Sequence, residues 1–262
     1  MAERKRIHSI SGAWYYAIKW IACITMAADH IAKTTGITEL LPDDTQIAMG
    51  AIGRIAFPLF CWELVQHFLH CKEDKRKDTL IRLGGIAVLS QVPYGYLWPE
   101  EGLNVCFTLT LGWGVMMLID KNYSKDTSTA LKGILVIVAG CVCATGMDYG
   151  YTGIAFIVLL YVAARSGKPA LWELIVFLIF TVEMGFTTAA GIGQLTARNI
   201  AACIAFNTLI VIAWAPVFLA RKGTGIIQPI GNILTGNASK QAGRWFYPAH
   251  LAILAVISFI LR

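Results

Sequence analysis

Asp29 and His30 stand side by side in an otherwise apolar stretch, and Arg54 follows inside the next one. An imidazole titrates near neutrality and can act as a general base. A guanidinium can stabilise an oxyanion, and a carboxylate can orient either. Ionisable groups inside a membrane helix are costly and mark functional positions. Adjacent residues on a helix do not face each other, so Asp29 and His30 are not a simple dyad. Each must be served from elsewhere: Asp29 by Arg54, or by Lys33 one turn on. His30 lies about 20 Å along its span from the inner end and Arg54 about 12 Å in from the outer end, so the two share a layer.

Other groups repeat at spacings that matter. Glu63, His67 and His70 fall at i, i+4 and i+7 on one helix face. That spacing suits zinc, but no further ligands stand at metal spacing; the expectation is the polar lining of an inner vestibule, and no metal. Asn104, Asp148 and Glu183 lie toward the outer side and are candidate substrate contacts. Their plainer roles are helix caps for Asn104 and Asp148 and a polar partner within the bundle for Glu183. Lys19, Arg82, Arg244, Tyr247 and His250 lie toward the inner side and are candidate contacts for an anionic cofactor. Lys19 and Arg82 have a plain alternative in snorkelling to lipid phosphate. Pro248 reads as the first turn of the last helix, which puts His250 at its inner start.

The elements that must position these groups are membrane helices. The chain has 262 residues, 56% hydrophobic and 15% charged, with mean hydropathy +0.61, against about 25% charged in soluble domains. Apolar runs near the bilayer-spanning length recur along it, without the short alternating segments of a β-barrel. The expected architecture is all-α: a single polytopic integral membrane domain over 1–262 with no cleavable signal peptide. About nine transmembrane spans fit the length rule, near 16–37, 46–70, 79–98, 104–120, 129–145, 151–164, 170–187, 199–220 and 245–261. The link 187–198, with Gly191, Gly193 and Gln194, is expected as a re-entrant turn. Lys and Arg alternate between the connections. Arg4, Lys5 and Arg6, then Lys72 to Lys77, Lys121 with Lys125, Arg165 with Lys168, and Arg221 to Arg244 fall on one side. Lys33, Arg198 and Arg262 fall on the other. The positive-inside rule then sets the N-terminus in the cytoplasm and the C-terminus outside, in a multi-pass bacterial inner (plasma) membrane protein. The net charge of +6 sits mostly on the inner face and is ordinary topology, with no nucleic-acid partner expected. The cysteines number seven. Cys23, Cys61, Cys106, Cys141, Cys143 and Cys203 fall in or beside helices, as small apolar residues rather than a disulfide framework.

Several stretches together resemble the TraX family of membrane proteins. They are Ile24-Thr25-Met26-Ala27-Ala28-Asp29-His30-Ile31, Gly53-Arg54-Ile55-Ala56-Phe57-Pro58-Leu59-Phe60, Ser90-Gln91-Val92-Pro93-Tyr94, Asn104-Val105-Cys106-Phe107-Thr108-Leu109, Asp148-Tyr149-Gly150 with Gly153, and Tyr247-Pro248-Ala249-His250-Leu251. They run in family order over nearly the whole chain. The sequence departs at Val65-Gln66-His67-Phe68, where the family tends to Val-Glu-Gly-Phe, so His67 is not carried over, although His70 matches a family histidine. The type member is linked to N-terminal acetylation of F-type conjugative pilin, and the family is similar to membrane acyltransferases that use an intramembrane histidine and acyl-CoA. The resemblance implies an acetyl-CoA-dependent acyltransferase with His30, Asp29 and Arg54 as catalytic residues. Asn104, Asp148, Glu183, Glu63 and His70 would meet the acceptor; Lys19, Arg82, Arg244, Tyr247 and His250 would meet acetyl-CoA. The expected partners are an acyl-CoA donor, membrane lipid, and an acceptor peptide, glycan, lipid or small metabolite reached from outside. A small-molecule transporter or lipid-binding protein without chemistry is the alternative. Transporters often show inverted repeats, and none is evident here.

Overall fold

Long apolar runs leave the backbone no partner in lipid but itself, so they wind into helices. The structure is a computed structural model that describes residues 11–122, 146–191, 193 and 196–261. It is 84% helix, without strands among the described residues. The expected span 129–145 with Cys141 and Cys143, the basic start Arg4, Lys5 and Arg6, and Lys125, Gln194 and Arg262 lie outside those residues.

The helices are α1 (Gly12–Lys33), α2 (Asp43–Gly53), α3 (Ala56–His70), α4 (Glu73–Leu97), α5 (Val105–Asn122), α6 (Gly150–Ala164), α7 (Pro169–Gly191), α8 (Ala197–Phe206), α9 (Leu209–Ile212), α10 (Trp214–Arg221), α11 (Gly231–Thr235) and α12 (Asn237–Leu261). Short 3-10 turns cover Thr38–Leu40 and Gly225–Ile230. Ser11 caps α1 by accepting from Trp14 N–H, and Thr196 caps α8 by accepting from Asn199 N–H, each satisfying one orphan donor of a first turn.

Among the described residues four stretches are long and apolar enough to cross a membrane: Asp43–His70, Pro169–Gly191, Ala197–Arg221 and Asn237–Leu261. Two of them are not single helices. The stretch expected at 46–70 breaks between α2 and α3, so Arg54 sits at the break and not within a helix. Pro58 falls in the first turn of α3, where its missing N–H costs nothing. The stretch expected at 199–220 is divided among α8, α9 and α10. The link expected as re-entrant is short, because α7 runs on to Gly191 and α8 starts at Ala197. The last helix begins at Asn237, eight residues before the apolar run starts at Trp245. Pro248 therefore lies inside it and is no start signal.

One apolar core joins α1, α3, α5, α6, α7 and α12, centred on Trp62, Trp113, Phe68, Phe156, Phe177 and Tyr161. Cys61 and Cys106 are buried free thiols within this packing, Cys23 is a buried free thiol on α1, and Cys203 is half-buried. Toward the end where α1, α4 and α7 begin, charges are paired between helices. Asp120 of α5 accepts from Arg76 and Arg165 at 2.5 Å each and from Tyr161 at 2.6 Å. Glu173 of α7, fully buried, accepts from Arg221 Nε at 2.6 Å and from Trp62 at 3.2 Å. Glu63 of α3 meets Lys19 at 3.3 Å and the Tyr15 hydroxyl at 2.8 Å. Partnered carboxylates of this kind are what a low-dielectric bundle tolerates.

Candidate functional site

At the opposite end of the bundle a cavity of about 450 Å³ opens among the ends of α1, α4 and α7 and the starts of α3, α5 and α6. Its polar lining is Asp29, His30, Lys33, Arg54, Glu101 and Asp148; its aromatic wall is Phe57, Phe60, Tyr94, Trp98, Tyr149 and Tyr151. Groups far apart in the chain thus meet at this end of the bundle.

His30 Nδ1 lies 2.7 Å from Nε2 of His250, with the two rings 10° from coplanar. His250 Nδ1 lies 2.9 Å from the carbonyl oxygen of Phe246. A carbonyl only accepts, so His250 carries its proton on Nδ1 and, when neutral, presents a lone pair at Nε2. His30 Nδ1–H then donates to it, and His30 is left with its lone pair on Nε2, in a ring that lines the cavity. The tautomer follows from the hydrogen-bond partners. Trp98 packs against His30 with ring centroids 5.0 Å apart, and Tyr247 lies 6.2 Å away. This arrangement revises the expected place of two residues: His250 and Tyr247 stand beside His30 and not at the inner end.

The expected ion pair of Asp29 with Arg54 is absent among the described residues. Asp29 Oδ2 meets Lys33 Nζ at 2.7 Å, one turn along α1, the alternative that the sequence also offers. The end of α2 comes very close here: a Cβ on Gly53 would stand 2.3 Å from Asp29 Cβ. Arg54, the next residue, lines the cavity with its guanidinium over Phe206 at 5.5 Å. Its buried Nε has no hydrogen-bond partner, and among the described residues no carboxylate forms an ion pair with it.

Asp148 lies in the connection before α6 and does not cap that helix, whose N-cap is Tyr149 without a side-chain bond. Its backbone is fixed by N–H donation to Leu103 and by the Thr108 hydroxyl at 2.5 Å. Burial, with Glu101 and Asp29 adding to it and Lys33 opposing, pushes its carboxyl up to about 6. Tyr149 adopts φ 61°, the left-handed region that non-glycine residues rarely enter, and its ring stacks on Phe57 at 3.8 Å.

Other sequence-predicted residues fall elsewhere. Asn104 is fully buried and outside the cavity lining. It caps α5 by accepting from Cys106 N–H at 2.9 Å, and both its amide protons go to Ala87 and Gln91. No donor is left for an oxyanion. Glu183 accepts from Thr187 at 3.1 Å, and its other oxygen is buried without a partner. Glu63 is engaged by Lys19 and Tyr15 as above, and His70 Nδ1 donates to its own Gln66 carbonyl at 2.7 Å. Neither lines the cavity. Among the described residues no three His, Cys, Asp or Glu side chains are grouped to hold a metal. Lys19 and Arg244 lie close together, since a Cβ on Gly243 would stand 2.9 Å from Lys19 Cε, and Arg82 is exposed on α4. This basic cluster lies nearer the opposite end, and Ile18, Ala22, Cys61 and Trp62 form a buried apolar layer of the same helices. Tyr94, Trp98, Glu101 and Tyr149 line the cavity without having been singled out; Tyr94 and Tyr149 do fall within the quoted motifs.

The family model described as TraX protein matches residues 15–258. No curated protein and no solved structure matches the chain.

Proposed function

We propose, from the premise that this chain belongs to the TraX family, that it is a membrane acetyltransferase. It takes acetyl groups from cytoplasmic acetyl-CoA to an amine or hydroxyl reached from the outer side. The observation that carries the proposal is the chain from the Phe246 carbonyl through His250 to His30, which leaves an unprotonated Nε2 on a ring of the cavity wall. The bundle sits in the bacterial plasma membrane with about nine spans, N-terminus inside and C-terminus outside. The cavity is then on the outer side and the Lys19, Arg82 and Arg244 cluster on the inner. What supports this orientation is the excess of Lys and Arg on the connections of the basic side.

Acetyl-CoA, when bound, supplies an acyl carbon activated as a thioester. Arg82 and Arg244, both exposed, suit its phosphates; Lys19 is already committed to Glu63. From Lys19 to His30 is about 16 Å along α1, a reach suited to a pantetheine arm. His30 Nε2 accepts the proton as the acceptor nitrogen or oxygen attacks the acyl carbon. Arg54 faces the oxyanion as it forms, with no competing carboxylate partner among the described residues. His30 then returns the proton from Nε2 to the departing sulfur as the C–S bond breaks. Asp29 holds Lys33 at the cavity wall, and the aromatic residues keep water from the thioester.

The test is acetyl transfer by pure protein in nanodiscs, with labelled acetyl-CoA inside reach of one face and a panel of amines and hydroxyls at the other. His30→Ala is expected to lower turnover by about 10²–10⁴-fold, the usual worth of a general base, with the protein still folded. Near-wild-type turnover in that variant removes His30 from the role.

A further inference from the structure

We propose that a second cavity, at the basic end of the bundle, binds the headgroup of an anionic phospholipid. About 390 Å³ in volume, it lies between the start of α7 and the end of α10, lined by Lys168, Pro169, Leu171, Phe218, Arg221 and Lys222. The cations around it divide into two kinds. Arg221 is spent on Glu173, which is fully buried. Lys168 and Lys222 have no carboxylate partner among the described residues, and Lys222 Nζ rests on the Phe218 ring at 4.5 Å. The cavity therefore presents positive charge whose nearby acid is already consumed. The first turn of α7 adds backbone N–H groups without helical partners and the positive end of a 23-residue helix.

The apolar half of the site points to a lipid and not to a soluble anion. From Leu171, exposed side chains climb one face of α7 through Leu178 and Val182, with Leu171 at 49%, Leu178 at 45% and Val182 at 44% exposure. Positions seven and eleven residues on keep to one stripe of a helix. An acyl chain laid along that stripe leaves its phosphate at the lysines. Trp172, 49% exposed beside the cavity, has the amphipathic ring favoured at the headgroup level.

The experiment reads bound lipid and not acetyl transfer, so its outcome is independent of the enzymatic proposal. Full-length protein is delipidated in detergent, incubated with phosphatidylglycerol or phosphatidylcholine, and weighed by native mass spectrometry. Wild type is expected to retain phosphatidylglycerol preferentially. K168A and K222A are each expected to lose about fivefold in retention, the ordinary pull of one surface lysine on anionic lipid, while K168R/K222R keeps it. Unchanged retention in K168A/K222A, with an unchanged melting profile, overturns the proposal. Displacement of the lipid by inorganic phosphate or by CoA overturns it in favour of a soluble anion.

Discussion

Replacing His250 by Ala removes the acceptor that fixes the His30 tautomer. Nδ1 and Nε2 of His30 then compete for the proton, and turnover is expected to fall by about 10²-fold, at the lower end for proton-transfer groups. His250→Gln offers an amide oxygen at similar reach and is expected to recover part of the loss in kcat with KM for acetyl-CoA unmoved. Equal damage by both variants would assign His250 to packing alone. Asp148 supplies a pH test. Its carboxyl is raised from the usual 3.8 to about 6, by burial above all. The folded chain thus holds this proton more tightly than the unfolded chain does. The stabilisation is full below the unfolded value and is lost as pH rises through about 6. Melting temperatures should fall between pH 4 and 6 for the wild type and less so for Asp148→Asn; parallel profiles would refute the assignment.

At the level of helices, two junctions set the site. Gly53 lets the end of α2 touch α1, since any Cβ there would overlap Asp29 Cβ at 2.3 Å. Gly53→Ala is expected to cost about 1–3 kcal/mol in stability, as overpacking does, and to move Asp29 and Arg54, with loss of transfer read in the same preparation. The second junction joins α7 and α10 through Glu173 and Arg221. Glu173→Gln leaves a guanidinium without its anion and is expected to destabilise by about 3–5 kcal/mol, the usual penalty for breaking a buried pair, measured by thermal unfolding. The sequence made Asp29, His30 and Arg54 stand out, because charges in apolar runs are conspicuous. It hid the break at Arg54, since the apolar run from Ile47 to Leu69 continues across it. It also hid the depth of His250, because the first turns of α12 carry Lys240, Gln241 and Arg244 and so resemble a loop. Nothing in local spacing told that two imidazoles 220 residues apart would bond.

Across the whole molecule, charge is sorted by end. The partnered acids Asp120 and Glu173 stand at one end with the basic cluster, while Asp29, Glu101 and Asp148 line the cavity at the other. The all-helical class and the membrane character were legible from composition; which side chains meet across the bundle was not, because that depends on helix rotation. Arg82→Ala with Arg244→Ala is expected to raise KM for acetyl-CoA by about tenfold or more, as loss of charge-assisted phosphate contacts does, with kcat kept. A fall in kcat alone would place the donor elsewhere. The relay behind His30 ends on a main-chain oxygen, that of Phe246, and this makes it vulnerable in an unusual way. No side-chain exchange can delete that oxygen, yet a single residue inserted between Asn237 and Phe246 would turn the remainder of α12 by about 100°. The His250 imidazole, midway along that helix, would swing out of line with its partner, and activity would hinge on the phase of one helix.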